Sequence, residues 1–279
     1  MRKLTKLFFT IVAVALLGIS PGHANTSKKG SSRTARVIIT SDTILSGMAA
    51  SLLPPGGYSV QAILPPGQCP GHYDVKLSDI EKTKKADLIV AFSGIPFMDT
   101  PGTRRGTLLL VDAEGRNWMA PDAYLRGLGL LAEGLAKRFP ADSDEIMRRK
   151  RDTICEVRAG TKALSEKLRR AGASGRAVIA SSMQKEPLAW MGFRVVGEYG
   201  RPEAISAREI VRLVRIGRSR NTVLVVDNLQ SGPDAGKGIA ESLGTPRVVL
   251  TNFPSEKGYL ATLGDNVDAV VSAVRRVKQ

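Results

Sequence analysis

The sequence predicts an α/β protein of two lobes, each a mostly parallel sheet flanked by helices, joined by one long backbone helix. Three observations predict it. Short apolar runs of strand length alternate with stretches of helical periodicity from residue 35 to 140, and the alternation resumes from 177 to the end. Between the two series, Ile146, Ile154, Val157, Leu164 and Leu168 fall near helical spacing in one stretch from 141 to 171. Gly172 to Gly175 then breaks that helix and marks the border of the second lobe.

Taken in order, Ala35 to Thr40 reads as the first strand, and Ser41-Asp42 caps a helix over Thr43 to Leu52 that Pro54-Pro55-Gly56-Gly57 ends. Tyr58 to Leu64 is a strand that delivers the chain to a Pro/Gly-rich loop holding Cys69 and His72. A helix from Ser78 to Lys85 and strands at Leu88 to Phe92 and Thr107 to Val111 follow, with a loop from Ser93 to Arg105 between those strands. Asp122 opens a helix to about Phe139, punctuated by Pro140. In the second half, strands are expected at 177–180, 193–197, 222–226 and 247–250. Helices are expected around 187–191 and over 207–218, 235–243 and 266–277. The two halves show no sequence-level repeat.

The first residues belong to another category. Arg2, Lys3 and Lys6 form a basic start, Leu7 to Ile19 an apolar core, and Gly22-His23-Ala24 a small-residue cleavage site, the pattern of an export signal over 1–24. Residues 25–34 are a polar leader, 35–140 the N-terminal lobe, 141–171 the linking helix and 172–279 the C-terminal lobe. The expected location is periplasmic. Cleavage would remove three of the +15 charges, leaving +12, and one of the two histidines, leaving His72.

These counts exclude several chemistries. A site built on several imidazoles cannot form from one histidine. Aromatic residues make up 5% of the chain and no basic stripe is interleaved with them, which argues against nucleic acid as a partner. The charge run Arg148 to Arg151 reads as a solvated helix face. Gly232 to Gly238 imitates a phosphate-binding loop, but its glycines stand one residue too close, Gly238 replaces the Mg²⁺-holding hydroxyl and Pro233 removes an N–H donor. No nucleotide cofactor is expected. A Ser-His-Asp hydrolase would depend on His72 and has no nucleophile elbow, so capture rather than catalysis is the expectation.

The stretch from Pro65 to Gly94 carries a resemblance. Pro65-Pro66-Gly67, Pro70, Tyr73, Ser78-Asp79-Ile80, Ala86-Asp87-Leu88 and Gly94 resemble the first signature of the periplasmic solute-binding proteins of zinc and manganese ABC importers, the TroA-like helical-backbone metal receptors. The resemblance implies two lobes on a rigid helix, a metal ion as cargo in the cleft, a permease of the inner membrane as partner and a monomer. Carried over by position, the family's ligands fall elsewhere. Its first histidine falls on Gly71, next to His72, and the aspartate before it on Cys69. The second histidine falls on Arg116, the third ligand near Ser181, and the last aspartate on Asn252.

Three readings of the cleft stay open. A rebuilt metal site would use Cys69 and His72 with Asn252, Met183 or Met119, a donor set suited to a divalent or soft ion, zinc first. A cleft for an anionic small molecule or metal chelate would use Arg116 and nearby hydroxyls, with Ser181, Ser182 and Met183 lining it. The third reading is a scaffold without ligand. Cys69 and Cys155, the only cysteines, could also pair as a disulfide in an oxidising compartment.

Overall fold

The computed structural model describes residues 35–95, 98 and 108–277. The expected export signal, its leader and most of the loop after Phe92 lie outside the described residues. The first sheet is built from β1 (Arg36–Thr40), β2 (Tyr58–Ala62), β3 (Leu88–Phe92) and β4 (Leu108–Val111), all parallel, in the order β2-β1-β3-β4. The second is built from β5 (Ala177–Ser181), β6 (Arg194–Tyr199), β7 (Leu224–Asn228) and β8 (Arg247–Leu250), again all parallel, in the order β6-β5-β7-β8. The two orders are the same path walked twice, without a repeat in the sequence.

Side chains alternate across each sheet, and both faces are buried, as a parallel sheet under helices requires. Ile38, Leu88 and Val90 point to one core, while Ile39, Ile89 and Ala91 point to a smaller one. In the second sheet Val178, Ala180, Leu224 and Val226 join the first core, and Ile179 and Val225 build a third. The large core is therefore common to both sheets.

Helices α1 (Thr43–Leu52), α3 (Pro121–Arg138), α4 (Ser143–Ala171) and α8 (Tyr259–Val277) enclose that common core; α2 (Leu77–Lys84) lies outside it. α4 has 29 residues and so runs about 43 Å. It turns Ile146, Val157, Leu168 and Ala171 inward, and Gly172 stops it in the left-handed conformation at φ 71°. Gly160 lets α8 approach α4: a Cβ there would stand 2.9 Å from Leu260 Cδ2. Tyr124 of α3 stacks on Tyr259 of α8 with ring centroids 3.6 Å apart, and the Tyr259 hydroxyl donates to the Met119 carbonyl. A continuous apolar core and a stacked aromatic pair tie the lobes together.

The remaining helices, α5 (Lys185–Trp190), α6 (Ala207–Ser219) and α7 (Lys237–Leu243), belong to the second lobe. Strand and helix boundaries shift by up to two residues from expectation, as at β2, β6 and β7, and the start of α8 shifts further. The helix expected from Ala235 starts at Lys237, with Gly236 as its N-cap and the Gly236 N–H donating to the buried Asp227 carboxylate at 2.7 Å. The last helix begins at Tyr259 rather than 266: its buried face of Tyr259, Thr262, Leu263, Asn266 and Val267 continues across Gly264. No helix among the described residues is long and apolar enough to cross a membrane. Both cysteines are free thiols, with Cys155 exposed on α4.

Candidate ligand cleft

The strand ends of both sheets open onto one cleft of about 580 Å³. In doubly wound folds this is the expected place for a ligand, because loops there are free to carry chemistry while the strands hold them. From the first lobe come Cys69, Gly71, Phe92, Ser93, Arg116 and Trp118; from the second come Ser182, Met183, Arg201, Gln230, Asn252 and Phe253. Of the residues singled out in the sequence, His72 is exposed beside the cleft, and Ser181 is buried in the end of β5 behind it. Met119, named as a possible thioether donor, is instead fully buried in the common core, and the other six line the cleft.

The Cys69–His72 loop is held firmly. Pro70–His72 forms one 3₁₀ turn, closed by the His72 N–H on the Cys69 carbonyl. The next residue, Tyr73, donates to the buried Asp79 carboxylate at 2.7 Å, which also accepts from the Lys76 N–H at the start of α2. Burial and then that bond push the Tyr73 phenol up to about 12, so it stays a donor at neutral pH. Asp79 thus braces the loop from behind, the reversed half of a capping box.

Arg201 crosses from the other lobe to this loop. It follows β6, and its guanidinium lies 3.4 Å from His72 Nε2 and 3.6 Å from Cys69 Sγ. Among the described residues no carboxylate pairs with it. Arg116 is the opposite case. Its Nη2 and Nε reach Asp122 and Glu186 at 2.6 Å each, and the bonds to Asp122 and Glu186 raise its pKa further. Arg116 lines the cleft as expected, but its charge is already matched.

Asn252 is similarly engaged. Its Oδ1 accepts from Asn117 Nδ2 at 2.9 Å and from Gln184 Nε2 at 2.7 Å. Asn117 also donates its side chain to the Met183 carbonyl and its backbone N–H to Glu186. These bonds form a polar seam between the lobes at the cleft floor. Among the described residues no group of three or more His, Cys, Asp or Glu side chains could hold a metal ion together. The protein offers two strong donors, Cys69 and His72, both now facing a guanidinium.

The imitation phosphate loop has a structural occupation of its own. Asp227, fully buried at the end of β7, accepts from the Gly236 N–H and from the Tyr199 hydroxyl and pairs with Arg247 at 2.7 Å. Within that loop the Gly236 amide therefore points inward to a carboxylate of the chain itself.

No family model matches the sequence, and no curated protein matches it. Solved structures do match. A zinc-bound deletion variant of ZnuA is 16% identical, covering 86% of this chain and 98% of its own, with a TM-score of 0.72. Intact ZnuA gives 15% identity, 86% and 99% coverage and 0.71. A manganese-bound periplasmic metal-binding protein from Candidatus Liberibacter asiaticus gives 15%, 86% and 99%, and 0.71. The chain has the ZnuA fold. At this identity the likeness carries the architecture, including the two sheets and the long helix, and leaves the chemistry of the cleft to the residues present.

Reading the sequence missed Arg201, Asn117, Gln184 and Glu186. Arg201 had a usable signal: Gly200-Arg201-Pro202 directly follows a strand, at the end where ligand loops gather. Asn117, Gln184 and Glu186 had none, because their roles come from contacts distant in sequence, across the lobes for Asn117 and Glu186 and within the second lobe for Gln184.

Proposed function

We propose that the protein is an extracytoplasmic solute receptor of an importer, capturing a metal ion as cargo between its lobes and presenting it to a permease. One observation carries this reading. The rims of two like sheets converge on a cleft with a thiol and an imidazole at its edge, behind which a shared core restrains the lobes. Such an arrangement suits binding and release of a ligand. Cys69 and His72 are the first ligands, and a thiolate with an imidazole suits zinc or a similarly borderline ion. The neighbours of like fold bind zinc and manganese, which supports a metal as cargo. The signal pattern in residues 1–24 supports export, and no oligomer is needed to complete the cleft.

Metal analysis of the reduced protein tests the reading. One zinc ion per chain is expected, lost in both Cys69→Ala and His72→Ala. Retention of no ion by the intact reduced protein, whether zinc, manganese or copper(I), would sink it.

A second reading, a cargo that is itself an anion, has Arg201 in its favour, because a cation without a carboxylate partner faces the cleft.

A further inference from the structure

We infer that the cargo enters the cleft as a metal ion already held by a small organic acid, and that Arg201 selects for this anionic chelate over the bare ion. The inference rests on the reading of the cleft as a cargo site.

Coordination number is the first argument. A tetrahedral ion needs four donors. The chain brings Cys69 and His72 to one turn, and no third strong donor stands with them among the described residues. Asn252 and Asn117 hold each other across the seam, and Glu186 is held by Arg116 and Asn117. The missing donors have to come with the cargo.

Charge is the second. Arg201 lies 3.4 Å and 3.6 Å from the two donor atoms, so any ion they bind sits beside a fixed positive charge. A bare dication is repelled there. A chelate whose carboxylates outnumber the ion's charge is attracted, and a guanidinium grips a carboxylate with two parallel N–H donors. Arg116 cannot take this part, since Asp122 and Glu186 already flank it.

Space is the third. A volume of about 580 Å³ is that of a small-molecule pocket, far beyond one ion. Phe92, Trp118 and Phe253 wall it with apolar surface, while Ser93, Ser182 and Gln230 offer hydrogen bonds. Carbon framework and carboxylates can both be accommodated.

Equilibrium dialysis of the reduced protein against zinc alone, citrate alone and an equimolar mixture tests the inference, counting zinc and labelled citrate separately. One zinc and one citrate retained together are expected, at least about ten-fold tighter than either alone. Arg201→Gln should lower retention of the mixture by about ten-fold or more, and should leave zinc alone bound as tightly or more tightly, because the charge that repels the bare ion is gone. Arg201→Lys keeps the charge without the fork and decides the matter if the glutamine variant does not fold. Intermediate retention supports the inference, and retention equal to the parent overturns it. Zinc retained without citrate, with citrate only competing for it, overturns the inference and leaves the metal receptor standing. Citrate retained in an Arg201-dependent way without zinc overturns both.

Discussion

The two lobes follow the same strand order, 2-1-3-4, yet bring different donors to the cleft. The first lobe contributes a thiol from a braced loop, with an exposed imidazole beside it, and a paired arginine and a buried tryptophan from the segment before α3. The second contributes amides, hydroxyls and a guanidinium without a carboxylate partner. Path alone decides where a loop ends up; the residues at the strand ends decide what it can hold. Behind the cleft the difference disappears, because both sheets place one face on the same core.

That shared core is the part of the comparison whose disruption costs most. Tyr259→Ala removes the ring stacked on Tyr124 and the hydroxyl donor to Met119, a loss of about 3–5 kcal/mol for a large buried aromatic. The two tryptophans divide conveniently, Trp118 before α3 in the first lobe and Trp190 in the second. Urea unfolding of Trp118→Phe and Trp190→Phe variants, with and without Tyr259→Ala, should show both reporters shifting together. Two separate transitions would mean that the lobes stand independently.

Asp42 sharpens the comparison, because only the first lobe buries a carboxylate at the end of its leading strand. Asp42 caps α1 through the Ile44 and Leu45 amides and accepts from the Ser41 hydroxyl. Burial raises its pKa from 3.8 to about 6, against the pull of Ser41 and the two amides. The matching turn after β5 carries the neutral Gln184 instead. With the folded pKa raised, the native state holds the proton more tightly than the unfolded chain. Stability from this group is therefore full below about pH 4 and declines as pH rises to about 6, by on the order of 3 kcal/mol. Asn also caps helices well, so Asp42→Asn should fold and flatten that part of the profile. Urea midpoints measured from pH 4 to 7 on both proteins decide it; parallel profiles would show that Asp42 does not titrate there.

The contrast also explains what could be read without a structure. β3 at Leu88–Phe92 and β8 at Arg247–Leu250 agree with expectation to the residue, as does α1 at Thr43–Leu52. Strong local signals mark each, an uninterrupted apolar run or an Asp cap with a Pro/Gly stop. The frame of the cleft was legible for the same reason. Its electrostatics were not. Arg116 and Arg201 look equally free in the sequence, and only folding brings Glu186, 70 residues away, onto Arg116 and leaves Arg201 facing Cys69 and His72. Pairing across lobes has no local signature.

The smallest expected effect concerns the polar seam, where the lobes meet by hydrogen bonds at the cleft floor. Asn117→Ala removes the donor to the Met183 carbonyl and to Asn252 Oδ1, and the acceptor for the Met119 N–H. Asn252 keeps Gln184 as a partner, so only part of the network is left unpaired. A loss of about 1–2 kcal/mol is expected. Because the common core still joins the lobes, that loss should not divide the unfolding transition. Hydrogen exchange should instead quicken in the turn at Ser182–Gln184 and around Trp118, while the amides of α4 exchange as before. Faster exchange throughout α4 would place the restraint on lobe movement in the seam and not in the core. Unchanged exchange everywhere would make the seam a passive contact, with the lobes held apart from the cargo by the core alone.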